Sequence, residues 1–472
     1  MRGSSSSIKS IDRLTALLYL ILVCFGWLNI FAANTDPDGG FVFDLSLEYM
    51  KQLMWIGISF VTIGLLMLID SKFFTAFAFI FYAITILMLI LVIFWGVEVN
   101  SAHSWFRIGS FSFQPVELAK VATALTIGKI LSRFQFSFTR IQDLVVLVTV
   151  WLLPVAIIIL QNDMGSALVF FSLLIVFFRE GMTPLILFFG IMAIVIFILT
   201  LLISNLYIEL LLVAVFFILL FLRKQRKLAL ISLGIAALCY GISQLVFHLT
   251  GGIDHFKAIL AGMSAASLYL ISVTVLRRYK AVVSSLILFW GSLAFAYSSD
   301  YIFEKMLSDY QKSRILVMLG LKQDPLGAGY NVNQSKIAIG SGGFSGKGFL
   351  QGTQTKFNFV PEQSTDFIFC TVGEEWGFLG TSAVIILFVC LLLRLVVLAE
   401  RQHSAFSRVY GYAVASIFFF HLLVNIGMTI GLAPVIGIPL PFFSYGGSSL
   451  WGFSILLFIF LKLDTNRTEL LR

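Results

Sequence analysis

The fold is decided by the stretch Lys347-Gly-Phe-Leu-Gln-Gly-Thr-Gln-Thr-Lys-Phe-Asn-Phe-Val-Pro-Glu-Gln-Ser-Thr-Asp-Phe-Ile-Phe369, in which a polar segment runs directly into an apolar one. It ends a longer polar region, residues 299–366, that lies between hydrophobic segments. Chemistry on polar substrates needs water-accessible groups, so this region predicts the main aqueous surface of the protein. An apolar helix is predicted from about Phe367, which places Asp366 where water meets the bilayer. An ionisable group at that position indicates a functional site.

The composition of the rest of the chain is that of a membrane protein. Of its 472 residues, 59% are hydrophobic and only 12% are charged, whereas a soluble domain carries about 25% charged residues. We therefore predict an all-α polytopic membrane protein. The net charge of +8 is spread over short loops, which favours a role in membrane topology over a nucleic-acid-binding patch. The four cysteines lie in apolar segments without ligand spacing, so neither a disulfide framework nor a zinc site is expected.

Hydrophobic segments that could cross a bilayer as helices of about 20 residues are predicted throughout the chain. We count fourteen such segments. The weakest are 115–132, which contains Glu117 and Lys120, and the two closely joined segments around Ser204-Asn205. Residues 1–13 are expected to form a cytoplasmic tail and residues 14–472 one membrane domain. The predicted spans are 14–33, 53–70, 73–96, 115–132, 143–161, 164–178, 182–203, 205–222, 228–248, 257–276, 281–298, 367–393, 409–431 and 448–463.

The distribution of Lys and Arg predicts the orientation of these spans. Basic residues fall in every second loop, and the alternate loops hold mostly acidic residues together with the long polar region. Cytoplasmic loops carry the excess of Lys and Arg. Both termini are therefore predicted to be cytoplasmic, and residues 299–366 are predicted to form a large extracytoplasmic loop.

Polar residues recur at helical spacing at the start of the fourth span. Gln114, Glu117 and Lys120 are separated by three residues each and share roughly one helix face. An ion pair between Glu117 and Lys120, neutralised for burial, is favoured on local grounds. The alternative is that Lys120 binds the phosphate of a lipid-linked substrate. Asp163, in a second motif on the same side of the membrane, is interpreted first as a helix N-cap, with close packing at the following Gly165.

The long loop is rich in glycines, in Gly340-Ser-Gly-Gly343 and Gly346-Lys-Gly348. Neither the dinucleotide-binding nor the Walker spacing is present, so tight turns are favoured, with some amides available to an anion. Asp324, before a proline, is interpreted as the start of a turn. Downstream, Asp366 is the better candidate for a general base, while Glu374 and Glu375 are deeper in the predicted helix and are expected to be hydrogen-bonded or paired.

The last motif, Pro434-Val-Ile-Gly-Ile-Pro-Leu-Pro-Phe-Phe-Ser-Tyr-Gly-Gly-Ser-Ser449, contains too many prolines and glycines for a regular helix. It predicts a structured outer loop, re-entrant in type, close to the other outer motifs. His421, alone in an apolar span, is interpreted as a hydrogen-bonded core residue rather than a metal ligand.

Together these motifs resemble the SEDS family of bacterial cell-wall polymerases, in the order in which the family carries them. The resemblance covers most of the chain, and Gly346-Lys-Gly-Phe-Leu-Gln-Gly-Thr-Gln354 is closer to the elongation branch than to the division branch. The segments concerned are Gln114–Lys120, Gln161–Ser166, Asp324–Tyr330, Gln334–Gly343, Pro361–Phe369 and Gly437–Ser449.

The resemblance implies a SEDS-like helical bundle in the bacterial cytoplasmic membrane that polymerises lipid II during cell elongation. It implies a class B penicillin-binding protein as the transpeptidase partner, other membrane proteins of the elongation complex, and no nucleic acid. The family's essential aspartate falls on Asp366, and Lys120 would stabilise the lipid pyrophosphate. A divalent cation, Mg²⁺ or Mn²⁺, is a possible cofactor, and the metal site is unknown. Further substrate-binding candidates are Glu117, Gln114, Arg107, Asp163, Lys336, Glu374 and Ser444.

Several positions depart from the family pattern. Val116, Asn162 and Ser166 stand where the family usually has Ser, Pro and Thr, and Ser364 stands where it commonly has His. Arg107 is the nearest counterpart of an arginine that the family often carries before Gln114. The family fold has ten helices, so four additional helices are predicted within residues 182–280.

The mechanism implied is general-base catalysis, in which Asp366 accepts a proton from the acceptor 4-hydroxyl as it attacks the anomeric carbon of the donor. Two other functions stay open: a lipid II flippase and a division-type polymerase. A flippase needs polar groups along a path across the bilayer, whereas the charged motifs here cluster on one face. A non-catalytic scaffold is a further alternative, in which Asp366 and Lys120 would be dispensable.

Overall fold

The structure is a computed structural model of the full chain. It describes residues 11–35, 41–99, 102–109, 111–250, 255–277, 280–307, 309–322, 324, 327, 329–357 and 359–467. Most of the predicted N-terminal tail, residues 1–10, and the proline of the Asp324-Pro motif lie outside these ranges. The chain divides into two compact units, residues 1–183 with 323–472 and residues 184–322.

The first unit contains most of the sequence motifs. Its helices before the division are α1 (Arg13–Asn34), α2 (Glu48–Leu68), α3 (Ser71–Trp95), α4 (Pro115–Leu131), α5 (Ile141–Leu160), α6 (Met164–Val169) and, after a tight turn at Phe170–Ser172, α7 (Leu173–Arg179). The second unit contains α8 (Pro184–Leu202), α9 (Asn205–Leu222), α10 (Arg226–Thr250), α11 (His255–Arg277), α12 (Lys280–Tyr301), a wide helical turn at Ile302–Met306 and α13 (Asp309–Met318). The first unit then resumes with α14 (Tyr330–Ser341), α15 (Thr353–Lys356), α16 (Ile368–Glu400), α17 (Ala405–Thr429) and α18 (Gly447–Thr465).

Each predicted span corresponds to helix in the described part of the chain. Twelve helices are long and apolar enough to cross a membrane. The other two predicted spans are helical but shorter: α4 has 17 residues, and the helical run Met164–Arg179 is also below the length of a full span. The prediction of an all-α polytopic membrane protein is confirmed, although α16 extends to Glu400, beyond the predicted end of its span at 393.

A small antiparallel sheet between α3 and α4 was not predicted. Its strands are β1 (Val97–Val99), β2 (Ala102–Ile108) and β3 (Phe111–Phe113), paired in that order. Two-residue connections favour such hairpins, and Gly109 in the second connection has a φ of 63°, which suits glycine. The sheet leads into Gln114, so it sets where α4 begins.

The second unit has its own apolar core. Buried side chains from α9, α10, α11 and α12 form one cluster, which includes Phe216, Met263, Leu270 and Phe289. Because each of the four helices contributes to the same cluster, they pack as a bundle.

The predicted extracytoplasmic loop contains several short helices. Its first residues extend α12 to Tyr301, and α13, α14 and α15 occupy much of the remainder. Short polar helices carry too little apolar length for a span, so the hydrophobic periodicity that located the other helices did not identify them. Asp324 accepts main-chain hydrogen bonds from Gly327 and Gly329 through its own carbonyl, which confirms that it starts a turn.

The glycine-rich segment 342–348 docks into a break in α16. Gly377 interrupts that helix with φ 60° and ψ −154°. The carbonyl groups of Glu374 and Glu375, which lose their helical partners at the break, accept hydrogen bonds from the amides of Lys347 and Gly348, each at 3.0 Å. Beyond the break, the amide of Phe378 donates to the carbonyl of Gly343 at 2.9 Å. The backbone groups that the break leaves without helical partners are therefore hydrogen-bonded to backbone groups of the loop.

This docking corrects the interpretation that amides of the glycine-rich segment face an anion. The amides of Lys347 and Gly348 are occupied by helix carbonyl groups. Glycine is required for a steric reason instead, because a Cβ at Gly342 would overlap the carbonyl oxygen of Gly373, and one at Gly346 would overlap that of Glu375.

We expect Gly342→Ala to destabilise the protein by about 1–3 kcal/mol, since overpacking forces backbone shifts of that cost. The matched control is Gly340→Ala, two residues away in α14, where an added Cβ meets no other atom within 4 Å. That control should be neutral or stabilising by up to about 1 kcal/mol, because alanine favours helix. Thermal unfolding of both variants in detergent tests the docking, and equal midpoints would contradict it.

Ion pairs join the helix ends of the first unit opposite the loop region. Arg394 of α16 binds Asp12, the N-cap of α1, and Arg401 binds Asp464 near the end of α18. Arg408 forms two hydrogen bonds with Glu180, at 3.0 and 2.8 Å. Most arginines at this end of the unit therefore have a carboxylate partner.

Candidate active site

Asp366 lies in the turn that immediately precedes α16, and it is half-buried. Its main-chain carbonyl accepts a hydrogen bond of 2.9 Å from the side-chain amide of Asn425, in α17. The same amide nitrogen donates to the carbonyl of Ile438 at 2.7 Å. Asn425 is fully buried, so it fixes the turn that carries Asp366 to the segment that carries Ile438.

That second segment, residues 430–446, joins α17 to α18 without regular helix or strand. It is nevertheless buried, since Ile438, Leu440, Phe442 and Phe443 are each at most 2% exposed. A Cβ built on Gly437, which has a φ of 74°, would lie 3.3 Å from Oδ2 of Asp366. The carboxylate of Asp366 thus faces the backbone of this segment, as the sequence predicted for neighbouring outer motifs.

Glu117 and Lys120 form the ion pair that their spacing predicted. The ammonium of Lys120 lies 2.8 Å from Oε2 of Glu117, and both side chains are almost completely buried in α4. The ammonium also lies 4.5 Å from the centre of the Phe453 ring, in cation–π range. Ser449 donates a hydrogen bond of 3.5 Å to the other oxygen of Glu117.

His421 connects this ion pair to the segment beside Asp366. Its Nδ1 lies 3.0 Å from the carbonyl oxygen of Pro439, and its Nε2 lies 3.2 Å from the ammonium of Lys120. A carbonyl oxygen only accepts, so Nδ1 carries the proton and Nε2 accepts from Lys120 in the neutral imidazole. The prediction that His421 is a hydrogen-bonded core residue is confirmed.

The turn before Asp366 is also held from the side of α1 and α2. The hydroxyl of Ser364 donates to Glu48 at 2.6 Å, and its carbonyl accepts from the amide of Tyr445 at 2.8 Å. Gln363 donates to the carbonyl of Ala33 at the end of α1. Ser364, where the family commonly has His, therefore acts here as a hydrogen-bond donor to α2.

Tyr445 is a neutral side chain near this turn. Burial, together with the negative charge of Glu48, raises its pKa to about 12. The phenol therefore keeps its proton at neutral pH, so it is a hydrogen-bond donor and not a base.

Gln114 and Asp163 meet at the start of their helices. Asp163 is the N-cap of α6, where its carboxylate accepts from the amide and the hydroxyl of Ser166 at 3.0 and 2.8 Å. The side chain of Gln114 donates to the same carboxylate at 2.9 Å. Gly165 packs against the carbonyl of Ile436, where no Cβ would fit. The predicted N-cap and close packing are both confirmed.

Glu374 has a complete set of internal partners. Its carboxylate accepts from Lys347 at 2.6 Å and from three consecutive amides, Thr353 to Thr355, at the start of α15. It is fully buried, so its geometry favours a structural role over substrate binding.

Glu375 is also buried. Neither of its carboxylate oxygens has a hydrogen-bond partner at ideal geometry within the described residues, but the positive charge of Lys356 and the amides of Leu350 and Gly352 act on the carboxylate. The prediction that each glutamate is hydrogen-bonded or paired with a positive group is therefore met by direct hydrogen bonds for Glu374 and by the charge of Lys356 for Glu375.

Three other predicted substrate-binding residues make no hydrogen bond or ion pair with Asp366 within the described residues. Arg107 is exposed on β2, in register with Ser112 of β3. Lys336 is exposed on α14, where its side chain crosses over Gly431. Ser444 is buried, and its hydroxyl accepts from the amide of Leu440 at 2.9 Å, so it stabilises the segment 430–446 from within. Their substrate-binding roles stay predictions.

The described side chains include no cluster suited to a metal ion. Mg²⁺ and Mn²⁺ prefer several oxygen ligands. In the parts of the chain that the structure covers, no group of three or more His, Cys, Asp or Glu side chains could hold a metal ion. We therefore derive no catalytic step through a metal.

Sequence reasoning missed the residues that hold Asp366 in place. Glu48 and Gln52 carried no motif signal, and both lie in the first turns of α2, before the predicted span 53–70. Gln52 binds the carbonyl of Ser444 and the amide of Gly446. Asn425, which also holds Asp366, lies in the apolar helix α17. A buried polar residue in an apolar helix needs a partner, and that rule could have identified it.

The architecture and motifs define a class of protein. A model of the FTSW_RODA_SPOVE family, described as cell cycle proteins, matches residues 12–217 and 253–469. The chain belongs to this family, which confirms the resemblance to SEDS proteins. Residues 218–252, within the second unit, are not matched.

Particular relatives are similar, one of them over most of the chain and another over about a third of it. It is 32% identical over 444 residues to the peptidoglycan glycosyltransferase RodA of Treponema pallidum, covering 94% of this chain and 95% of the relative. It is 48% identical over 145 residues to the peptidoglycan glycosyltransferase MrdB of Escherichia coli K12, covering 31% of this chain and 39% of the relative.

Solved structures share the fold. One is a chain from a structure of a peptidoglycan synthase complex, which concerns the structural coordination of polymerisation and crosslinking. It matches with a TM-score of 0.60 and 23% identity, and the match covers 97% of this chain and 99% of that chain. The rod shape determining protein RodA of Thermus thermophilus matches with a TM-score of 0.56 and 22% identity over 97% and 98%. This multi-pass membrane protein therefore has the RodA fold.

Proposed function

We propose that this chain is a peptidoglycan glycosyltransferase that polymerises lipid II during cell elongation. The observation that carries the proposal is the position of Asp366, half-buried at the start of α16 and held through its carbonyl by Asn425. A relative that is similar over 94% of this chain bears the name peptidoglycan glycosyltransferase RodA, which supports the substrate class.

In the proposed reaction, Asp366 acts as a general base. Its carboxylate accepts the proton of the acceptor sugar's 4-hydroxyl, whose oxygen forms the new bond to the anomeric carbon of the donor glycan. The bond from that carbon to the lipid pyrophosphate breaks, and the pyrophosphate leaves with the electron pair. A base within hydrogen-bond reach of the attacking hydroxyl contributes about 10²–10⁴-fold to the rate.

Lys120 is proposed to support this reaction through its contacts. Its ammonium is held by Glu117 and His421 and is buried. His421 in turn binds Pro439 in the segment beside Asp366. Direct stabilisation of the leaving pyrophosphate by Lys120 requires the ion pair with Glu117 to open, whereas support of the segment 430–446 uses the geometry as it stands.

The remaining parts of the proposal concern orientation and partner. We place both chain termini in the cytoplasm and the region 299–366 outside it, on the distribution of Lys and Arg. We propose a class B penicillin-binding protein as the transpeptidase partner, because a chain of the same fold is part of a peptidoglycan synthase complex.

The test is polymerisation of labelled lipid II by the purified protein, alone and with its cognate penicillin-binding protein. Glycan chains of many disaccharide units are expected in at least the second reaction. If no polymer forms in either reaction while reconstituted vesicles translocate lipid II, the protein is a flippase and the proposal is wrong.

A further inference from the structure

A strongly basic turn joins α9 to α10 in the second unit. It reads Arg223-Lys-Gln-Arg-Lys227, and its four cationic side chains are all exposed. The turn connects two of the helices that are long and apolar enough to cross a membrane. Its cations therefore lie at the level where lipid headgroups meet water.

The backbone of this turn holds a lysine in a left-handed conformation. The amide of Gln225 bonds to the carbonyl of Leu220 and that of Lys224 to Phe221, which is the Schellman arrangement at a helix end. Glycine usually occupies the left-handed position of this motif, but here it is Lys224, with φ 61°. A lysine at this position costs free energy that a glycine would not, so the chain keeps a cation where stability alone favours glycine.

Two contacts orient the arginines. A guanidinium nitrogen of Arg223 donates to the hydroxyl of Ser284 in α12. The guanidinium of Arg226 lies 4.8 Å from the centre of the Phe221 ring, which is itself 48% exposed. A guanidinium group beside an exposed aromatic ring, with a second guanidinium group oriented in the same turn, matches a phosphate group joined to apolar chains.

Carboxylate partners distinguish three cations of this turn from the arginines at the basic helix ends of the first unit. There, Arg179, Arg394, Arg401 and Arg408 each pair with Asp or Glu. Within the described residues, Lys224, Arg226 and Lys227 form no salt bridge. Positive charge is thus left available at the turn for an anionic group from outside the protein.

We propose that the turn 223–227 binds the phosphate headgroup of an anionic phospholipid. Its basic side chains attract the negatively charged membrane surface, and the two guanidinium groups bind the phosphate oxygens directly. The turn lies within residues 218–252, which the family model does not match. The site is therefore a property of the second unit of this chain and is separate from the proposed polymerase chemistry.

The experiment uses the purified full chain in detergent with phosphatidylglycerol or phosphatidylcholine of identical acyl chains. Native mass spectrometry measures how many lipids the protein retains. We expect wild type to prefer phosphatidylglycerol. In the variant Arg223→Gln/Lys224→Gln/Arg226→Gln/Lys227→Gln, the ratio of retained phosphatidylglycerol to retained phosphatidylcholine should fall at least tenfold.

Removal of four charges could also change how the helices insert, so a charge-conserving variant keeps the test independent. Arg223→Lys/Arg226→Lys retains the charge that sets topology but loses the paired donors of guanidinium, and we expect a several-fold lower preference. The matched control is Arg133→Lys/Arg140→Lys, two exposed arginines of the first unit, which should leave the preference unchanged.

Three results would overturn the proposal. One is unchanged phosphatidylglycerol retention in the Arg223→Lys/Arg226→Lys variant, since the charges would then serve topology alone. Another is an equal loss in the Arg133/Arg140 control, which would make the effect general to basic loops. The third is preferential retention of a short-chain polyprenyl phosphate in competition with phosphatidylglycerol, which would assign the phosphate to a substrate lipid.

Discussion

The Asp366→Asn variant is expected to lose about 10²–10⁴-fold in the rate of lipid II polymerisation, because an amide cannot accept the proton of the attacking hydroxyl. Stability should change little. The substitution preserves side-chain size, and the bond from Asn425 is made to the main-chain carbonyl of residue 366, which the variant retains. Measurement of glycan chain formation together with thermal unfolding separates a chemical effect from a structural one.

The control for this prediction is Glu362→Gln, which neutralises a carboxylate in the same turn. Glu362 is exposed, and its side chain accepts a hydrogen bond from the hydroxyl of Thr365 at 2.7 Å. It should keep activity within a few-fold of wild type. Polymerisation by Asp366→Asn at a rate similar to that control would remove Asp366 from the role of general base.

Hydropathy located the helices because a helix in lipid must satisfy all its backbone groups internally and present apolar side chains outward. That constraint acts on about 20 consecutive residues, so it is visible along the sequence. It does not act in water, and the short helices α14 and α15 therefore carried no comparable signal. Their positions depend on contacts such as those of Glu374 with the start of α15.

The break in α16 shows a second limit of prediction from the sequence. Gly377 could be read as a weak point of the helix, but the sequence does not state which segment satisfies the freed backbone groups. The partners are backbone atoms of residues 343–348, whose hydrogen bonds have no side-chain requirement beyond small size. The interpretation that these glycine-segment amides face an anion was wrong for this reason.

Within the candidate site, local pairs were predictable and distant ones were not. Glu117 and Lys120 are one helical turn apart, and Asp163 precedes the helix that it caps, so spacing alone indicated both contacts. The contact of Lys120 with His421 joins α4 to α17, and the contact of Asn425 with Asp366 joins α17 to the turn before α16. Only the folded chain brings these residues together, although the polarity of each in an apolar span indicates that it has some partner.

Breaking the buried ion pair of α4 is expected to produce the largest loss of stability. Lys120→Met leaves the carboxylate of Glu117 buried without its counter-charge, and removal of one partner of such a pair costs about 3–5 kcal/mol. Glu117→Gln leaves the ammonium of Lys120 in the same position and should cost a similar amount. Both single variants should therefore unfold at clearly lower temperature than wild type in detergent.

The double variant Glu117→Gln/Lys120→Met distinguishes a structural role of the ion pair from a role in catalysis. Removal of both charges eliminates the unpaired group, so most of the lost stability should return. If Lys120 only supports the segment beside Asp366, the double variant also regains activity in proportion to stability. If its charge stabilises the pyrophosphate, a stable double variant stays about 10²–10³-fold less active. The control is Asp309→Asn, which removes an exposed carboxylate paired with Lys312 at the same i,i+3 spacing. It should cost less than about 1 kcal/mol. Single variants of the buried pair that unfold at the same temperature as this control would show that the ion pair does not stabilise α4.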